Sequence, residues 1–210
     1  QFSEGDGYRG LKSIKFVPLF EIRTGQKTAE VSVTPFKDIP RSPPTVNTQK
    51  VAITKPVFVT LSNYIEFINE TWRQTRYMQM VLSSFNSTAS YYKNLESFER
   101  KGAMSFDYKD FKLPLSQYQK TVADSKSLSP GAAKSLNDQS EVLLNILKEM
   151  DDLGTTLEIE TRERRYEKDR LKKVYDILER QKVLLDIWDE KKDLLYQDVR
   201  TVFDSYPVLQ

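Results

Sequence analysis

Hydrophobic and polar positions change texture several times along the chain. Between residues 12 and 34 they alternate. Ile14, Phe16, Phe20 and Ile22 share one face, opposite Lys15, Glu21 and Arg23; after a turn candidate at Thr24-Gly25-Gln26, Ala29, Val31 and Val33 repeat the pattern. Two short runs of period two predict a β-hairpin, with Pro18 placing the first strand at an edge or in a bulge. Residues 35–48 then hold Pro35, Pro40, Pro43 and Pro44, which excludes regular helix and predicts an extended, semi-rigid linker. Residues 50–59 alternate once more at Val51, Ile53, Val57 and Val59, which predicts another extended segment.

After Thr60 the period becomes helical. Leu61, Ile65, Ile68, Trp72, Thr75, Met78, Leu82, Phe85, Ala89, Tyr92 and Leu95 step by threes and fours, in a stretch (61–98) without Gly or Pro. That is a helical seam, with Thr60 or Ser62 as candidate cap. Gly102 and Pro114 interrupt it, and residues 115–126 suggest a short helix. Ser129-Pro130 reads as a helix start, Ser as cap and Pro in the first turn. Leu136, Val142, Leu143, Ile146, Leu147, Met150 and Leu153 mark the buried face of the helix that follows. Gly154, ahead of the capping-box pattern Thr155–Glu158, marks a candidate break or kink. The last seam is the most regular: Leu171, Val174, Leu178, Gln181, Leu185, Trp188, Lys192, Leu195, Val199 and Val202. Gln181 and Lys192 are polar intrusions of the kind that set register. A continuous helix over 156–205, stopped by Pro207, would run about 70 Å and would need partners along its whole seam.

The fold class that follows is mainly α: an antiparallel helical bundle of long amphipathic helices, with a small N-terminal β-hairpin and an extended proline-rich segment. The expected division is residues 1–59, hairpin and linker, and 60–210, bundle. Tyr64, Tyr77 and Tyr91 fall off the first seam and are expected to face the N-terminal segments or a partner.

Composition narrows the chemistry. Charged residues make up 30% and hydrophobic ones 39% of the 210 residues, which suits long helices with narrow apolar seams. The chain has no Cys and no His. Thiolate and imidazole nucleophiles, bases and metal ligands are therefore excluded, and carboxylate, Lys and oxygen-ligand chemistry remain. A net charge of +2 is too small to point to nucleic acid as a general partner. No apolar run reaches the roughly 20 residues that span a bilayer. The start at Gln1 rather than Met suggests a processed fragment, and export to the periplasm or cell surface is expected.

No residue set identifies a catalytic, cofactor or metal site, and none is expected. Glu66, Glu70, Glu158 and Glu160 show no spacing of a catalytic carboxylate pair. Glu149, Asp151 and Asp152 lack calcium-loop spacing. Residues 158–173 are a dense charge block in which both signs interleave, read as a solvated helix held by pairs such as Glu160–Arg164. Asn69-Glu70-Thr71 and Asn86-Ser87-Thr88 match the N-glycosylation pattern inside the expected first helix. The candidate interaction surface consists of the aromatics Phe106, Tyr108 and Phe111 in the interrupting loop, with Arg164, Arg165 and Tyr166 in the charge block.

The stretch LSNYIEFINETWRQTRYMQMVLSSFNSTASYYKNL, residues 61–95, resembles the first helix of helical domains in exported envelope proteins of Bacteroidota. The likeness lies in the L-S-x-Y-[IV]-x-F-[IL]-N-E opening and the later F-N. In some of those proteins the domain precedes an outer-membrane-protein-A-like, peptidoglycan-binding module, which this sequence does not contain. The resemblance implies a periplasmic or surface structural role, with no catalytic residue to carry over. The expected function is thus a non-catalytic exported scaffold or protein-interaction module, with a protein partner or second copy and possible cell-wall or glycan contact. One alternative is an intracellular coiled-coil adaptor dimerising through the C-terminal helix. The other is a glycan-binding or carboxylate-dependent hydrolase domain using the aromatic loop.

Overall fold

Residues 33–91 and 111–207 are described by the structure, a computed structural model. Among them the chain is mainly helical and no strand occurs. The hairpin expected over 12–34 lies outside the described residues, apart from its last two.

Helix α1 is Lys55–Tyr91. It starts earlier than the alternation of residues 50–59 suggests. The Thr54 carbonyl accepts the first helical bond from the Phe58 amide at 3.0 Å, and Pro56 sits in the first turn, where its missing amide costs nothing. Period two misleads here because the residues that become buried are Val57, Thr60, Leu61, Tyr64 and Ile68, a helical set that shares only Val57 with the alternating one. Thr60 does not cap: it is buried and donates from Oγ1 to the Asp124 carbonyl at 2.9 Å.

Helix α2 is Leu115–Asp124, continued by a 3-10 turn over Ser125–Ser127. Helix α3, Pro130–Arg162, starts where Ser129-Pro130 places it. The Ser129 carbonyl accepts from Ala133 N–H at 2.9 Å, and its hydroxyl accepts from Ala132 N–H at 3.3 Å. Helix α3 continues through Gly154, which is itself buried. The Thr155–Glu158 pattern therefore lies inside α3 and starts no new helix, and Thr156 Oγ1 bonds back to the Asp152 carbonyl.

The break comes later, inside the charge block. Arg164, Arg170 and Leu171 have φ of 54°, 55° and 69°. Between them lies the single turn α4, Tyr166–Asp169, before α5, Lys172–Asp204. The expected uninterrupted helix over 156–205 is therefore two helices, and the expected pair Glu160–Arg164 does not form. Glu160 binds Lys173 Nζ at 2.8 Å, and Arg164 pairs with Glu167.

The chain divides into two compact units, and each long helix contributes residues to both. In the first unit, whose described residues are Val33, Arg76–Tyr91, Phe111 and Met150–Val183, the end of α3 and the start of α5 run antiparallel. Two pairs show it: Glu160 with Lys173, and the Met150 carbonyl accepting from Gln181 Nε2 at 2.9 Å. Gln181 is fully buried and its Oε1 has no hydrogen-bond partner.

The second unit holds residues 34–75, 112–149 and 184–210. Helix α2 runs antiparallel to α1: Lys112 N–H donates to Gln74 Oε1 at 2.7 Å, the Phe67 and Tyr118 rings lie 5.7 Å apart, and Thr121 and Gln117 donate to the Asn63 carbonyl. Helix α5 is antiparallel to α1 as well. Trp188 Nε1 donates to Thr71 Oγ1 at 3.2 Å, and Phe58 meets Phe203 with ring centroids 6.4 Å apart. Tyr64, expected to face the N-terminal segments or a partner, is fully buried, and its hydroxyl donates to Asn137 Oδ1 of α3 at 2.6 Å. Burial pushes that hydroxyl's pKa far above the ordinary tyrosine value. The seam of α5 is buried from Leu171 to Val202, Lys192 excepted. Lys192 lies 5.3 Å from the centre of the Trp188 ring and pairs with Asp189 and Asp193. Desolvation lowers its pKa, but the hydrogen bonds it donates to Asp193 and Asp189, with their negative charges, outweigh that and leave it raised.

Candidate interaction surface

Four prolines keep residues 35–48 extended, and the structure shows where that extended chain goes. It lies as a strap along α3 and α5 of the second unit. Phe36 N–H donates to Glu149 Oε2 at 2.8 Å, and Asn145 Nδ2 donates to the Lys37 carbonyl at 3.0 Å. Further on, Ser135 donates to the Ser42 carbonyl, and Thr45 packs on Gly131. Strap numbers rise as α3 numbers fall. Against α5 both rise: Asp38 pairs with Lys191 at 3.3 Å, Arg41 with Asp198, and Asn47 N–H with Ser205 Oγ at 3.0 Å. The strap therefore occupies the groove between two antiparallel helices.

The lengths match. From residue 36 to 45, polyproline-type chain at ~3.1 Å per residue covers about 28 Å. From 149 back to 131, helix at ~1.5 Å per residue covers about 27 Å. Phe36 and Ile39 are the half-buried positions at the start of the strap, a spacing of three that fits three residues per turn. The expectation of a linker is thus corrected. The segment is extended as expected, but side chains of α3 and α5 hold it in place.

The strongest contact is between Arg41 and Asp198. Arg41 Nε and Nη2 donate to the two carboxylate oxygens at 2.8 and 2.7 Å, and Gln139 Nε2 adds a third bond at 2.8 Å. Asp198 is 4% exposed, and these three donors replace the water its carboxylate loses on burial. The hydrogen bond to Asp198 raises the Arg41 pKa further and keeps the guanidinium charged.

Where the strap ends, apolar side chains reach the surface. Val46, Val51, Phe58 and Phe203 are 40%, 52%, 51% and 45% exposed. The Phe58–Phe203 contact and the bonds of Asn47 to Ser205 and to the Val51 carbonyl bring them to one end of the unit. Beside them is a cavity of about 330 Å³, lined by Val46, Asn47, Leu128, Ala132, Val202 and Tyr206 among others. Exposed apolar side chains that cluster mark contact sites more often than single ones do.

The residues singled out in the sequence are placed differently. Phe106 and Tyr108 lie outside the described residues. Phe111 and Tyr166 are buried, at 6% and 4% exposure, so neither ring is offered to a partner. Arg164 and Arg165 are exposed and sit in the turn between α3 and α4, where Arg164 pairs with Glu167 and Arg165 with Glu163. Asn69 is exposed, but Thr71 of the same glycosylation pattern is fully buried and bonded to the Ile68 carbonyl. Among the described residues no group of three or more carboxylates could hold a metal ion. Glu149 instead accepts the Phe36 amide.

Sequence reasoning missed Arg41, Gln139, Asp198, Phe58 and Phe203. The proline spacing was the available signal for a strap; nothing in the pattern marks its partners. No protein-family model, curated protein or solved structure matches the chain.

Proposed function

We propose that the chain is a non-catalytic, exported scaffold or protein-interaction module of a bacterial envelope, periplasmic or surface-facing. The observation that carries this reading is the cluster of exposed apolar residues around Phe58 and Phe203 at one end of a helical bundle unit. The resemblance of residues 61–95 to exported envelope domains supports the compartment. The partner is a protein or a second copy, with cell-wall glycan as a further contact. The hairpin of residues 12–34 would dock on the bundle or add to a partner's sheet edge. The alternative of dimerising through the α5 seam is disfavoured, because the chain's own packing already buries that seam.

Site-specific photo-crosslinking tests the reading. A photoreactive phenylalanine analogue is placed at Phe58 or Phe203 in the native cells, with exposed Lys148 as the control position. Discrete protein adducts are expected at 58 and 203 and not at 148, in the envelope fraction. Absence of adducts at both positions would remove the interaction reading, and recovery of the chain in the cytosolic fraction would remove the envelope reading.

A further inference from the structure

We infer that the groove between α3 and α5 of the second unit is an interface for a second copy of this chain, which fills it by exchanging straps. The inference does not depend on the apolar cluster. It rests on three observations.

First, the groove is built for one kind of occupant. Asn145, Ser135 and Glu149 address backbone atoms of an extended chain, Lys191 and Asp198 take an acid and an arginine three residues apart, and Gly131 leaves room for Thr45. The segment that satisfies this set is residues 36–45, and every copy of the chain carries it.

Second, the strap is held from outside rather than buried. Most of its residues are exposed, and it contributes no helix or strand hydrogen bonds of its own. Releasing it breaks a short series of side-chain contacts and leaves the helical core intact. The same contacts form again with the strap of another copy.

Third, the link to α1 is a short, strained reversal. The strap runs with α5, whereas α1 runs against it, so the chain turns back between Asn47 and Lys55. Asn47 holds that turn: its Oδ1 accepts from Gln49 N–H and its Nδ2 donates to the Val51 carbonyl, both at 3.2 Å. Lys50, inside the turn, has φ of 50°, a left-handed conformation that a lysine adopts at a cost. Straightening the turn to reach a second copy relieves that cost. Short hinges under strain favour exchange of the segment they hold back.

The Asp38–Lys191 pair provides the test. Carbodiimide joins a carboxylate to an amine in contact without adding atoms, so it reports which strap lies in which groove. Ordinary and heavy-isotope-labelled chains are mixed at high concentration, warmed, cross-linked and digested. Exchange yields Asp38–Lys191 peptides with one light and one heavy arm, recovered from the dimer fraction. Two variants bear on the hinge. Lys50→Pro forbids positive φ, makes the closed turn costlier than it is with lysine, and is expected to raise the mixed-isotope fraction by more than about five-fold, the factor set by the lysine's own left-handed cost. Lys50→Gly accepts positive φ freely and is expected to lower it by a similar factor. Single-isotope pairs alone in all three proteins, or the same mixed fraction in all three, would overturn the proposal.

Discussion

Thr45 rests directly on the α-carbon of Gly131. A β-carbon at residue 131 would meet the Thr45 hydroxyl far inside van der Waals contact and the Thr45 Cβ at 3.1 Å. Rotating the threonine moves the hydroxyl but not its Cβ, so the strap itself would have to give way. Gly131→Ala is therefore expected to destabilise the chain by about 1 kcal/mol, overpacking exceeding the gain in helix propensity. In a Thr45→Gly background, which removes both the hydroxyl and that Cβ, the same substitution is expected to be neutral or to stabilise by about 0.5 kcal/mol. Urea unfolding of the four proteins measures the coupling.

Asp198 is the buried end of the strap's main anchor. Arg41→Ala leaves its carboxylate with Gln139 Nε2 as the remaining hydrogen-bond donor. The expected loss is about 2 kcal/mol, below the cost of a fully enclosed pair because Arg41 itself is partly exposed. Arg41→Lys keeps the charge but cannot donate to both oxygens in the same plane, so it should recover about half. Hydrogen exchange would distinguish strap release from global loss: amides protected by the strap should open in Arg41→Ala while the α3 core stays protected.

Gln181 gives a prediction of opposite sign. Its Nε2 binds the Met150 carbonyl, which lies within α3, while its Oε1 is buried without a partner. Gln181→Leu removes the unpaired oxygen and leaves Met150 with its helical bond. A stabilisation of up to about 1 kcal/mol is expected. A loss of the same size in thermal unfolding would show that the glutamine sets the register of the α3–α5 pair.

Arg170 ends α4 in the left-handed conformation and is exposed. Glycine takes that conformation without strain, so Arg170→Gly is expected to stabilise by about 0.5–1 kcal/mol. The same substitution at buried Leu171 would lose packing as well and should destabilise. Denaturant midpoints compared side by side check both signs.

Glu179 has a raised pKa, first from burial and then from the charge of Asp176. The folded chain therefore holds this proton more tightly than the unfolded one. The stability it contributes is complete below the unfolded value and is lost as pH rises through the raised folded value. At neutral pH the ionised carboxylate is a net cost. Glu179→Gln should stabilise there by no more than about 1 kcal/mol, because solvent screens a partly exposed group. The gain should fade as the pH drops to about 4. A pH series of urea titrations on both proteins tests it.

Several features were legible from local pattern because their causes are local. Ser129 and Pro130 start α3 by capping chemistry that needs no tertiary contact. The apolar positions of the α5 seam from Leu171 to Val202 are buried where their period places them, since whichever elements cover a helix must cover its apolar stripe. The prolines of 35–48 determine an extended chain by removing amide donors and fixing φ.

Tertiary structure decided the rest. Residues 55–59 carry both a period-two and a helical pattern, and packing of Val57 and Thr60 selects the helix. The turn at 163–171 uses Arg and Leu, not Gly, at positive φ, so no local marker announces it; the return of α5 along α3 imposes it. The strap's partners, Gly131, Ser135, Asp198 and Lys191, lie 86 or more positions away and have no periodic relation to it. Backbone preference makes residues 35–48 extended whatever surrounds them, but only the pairing of two distant helices creates the groove that holds them.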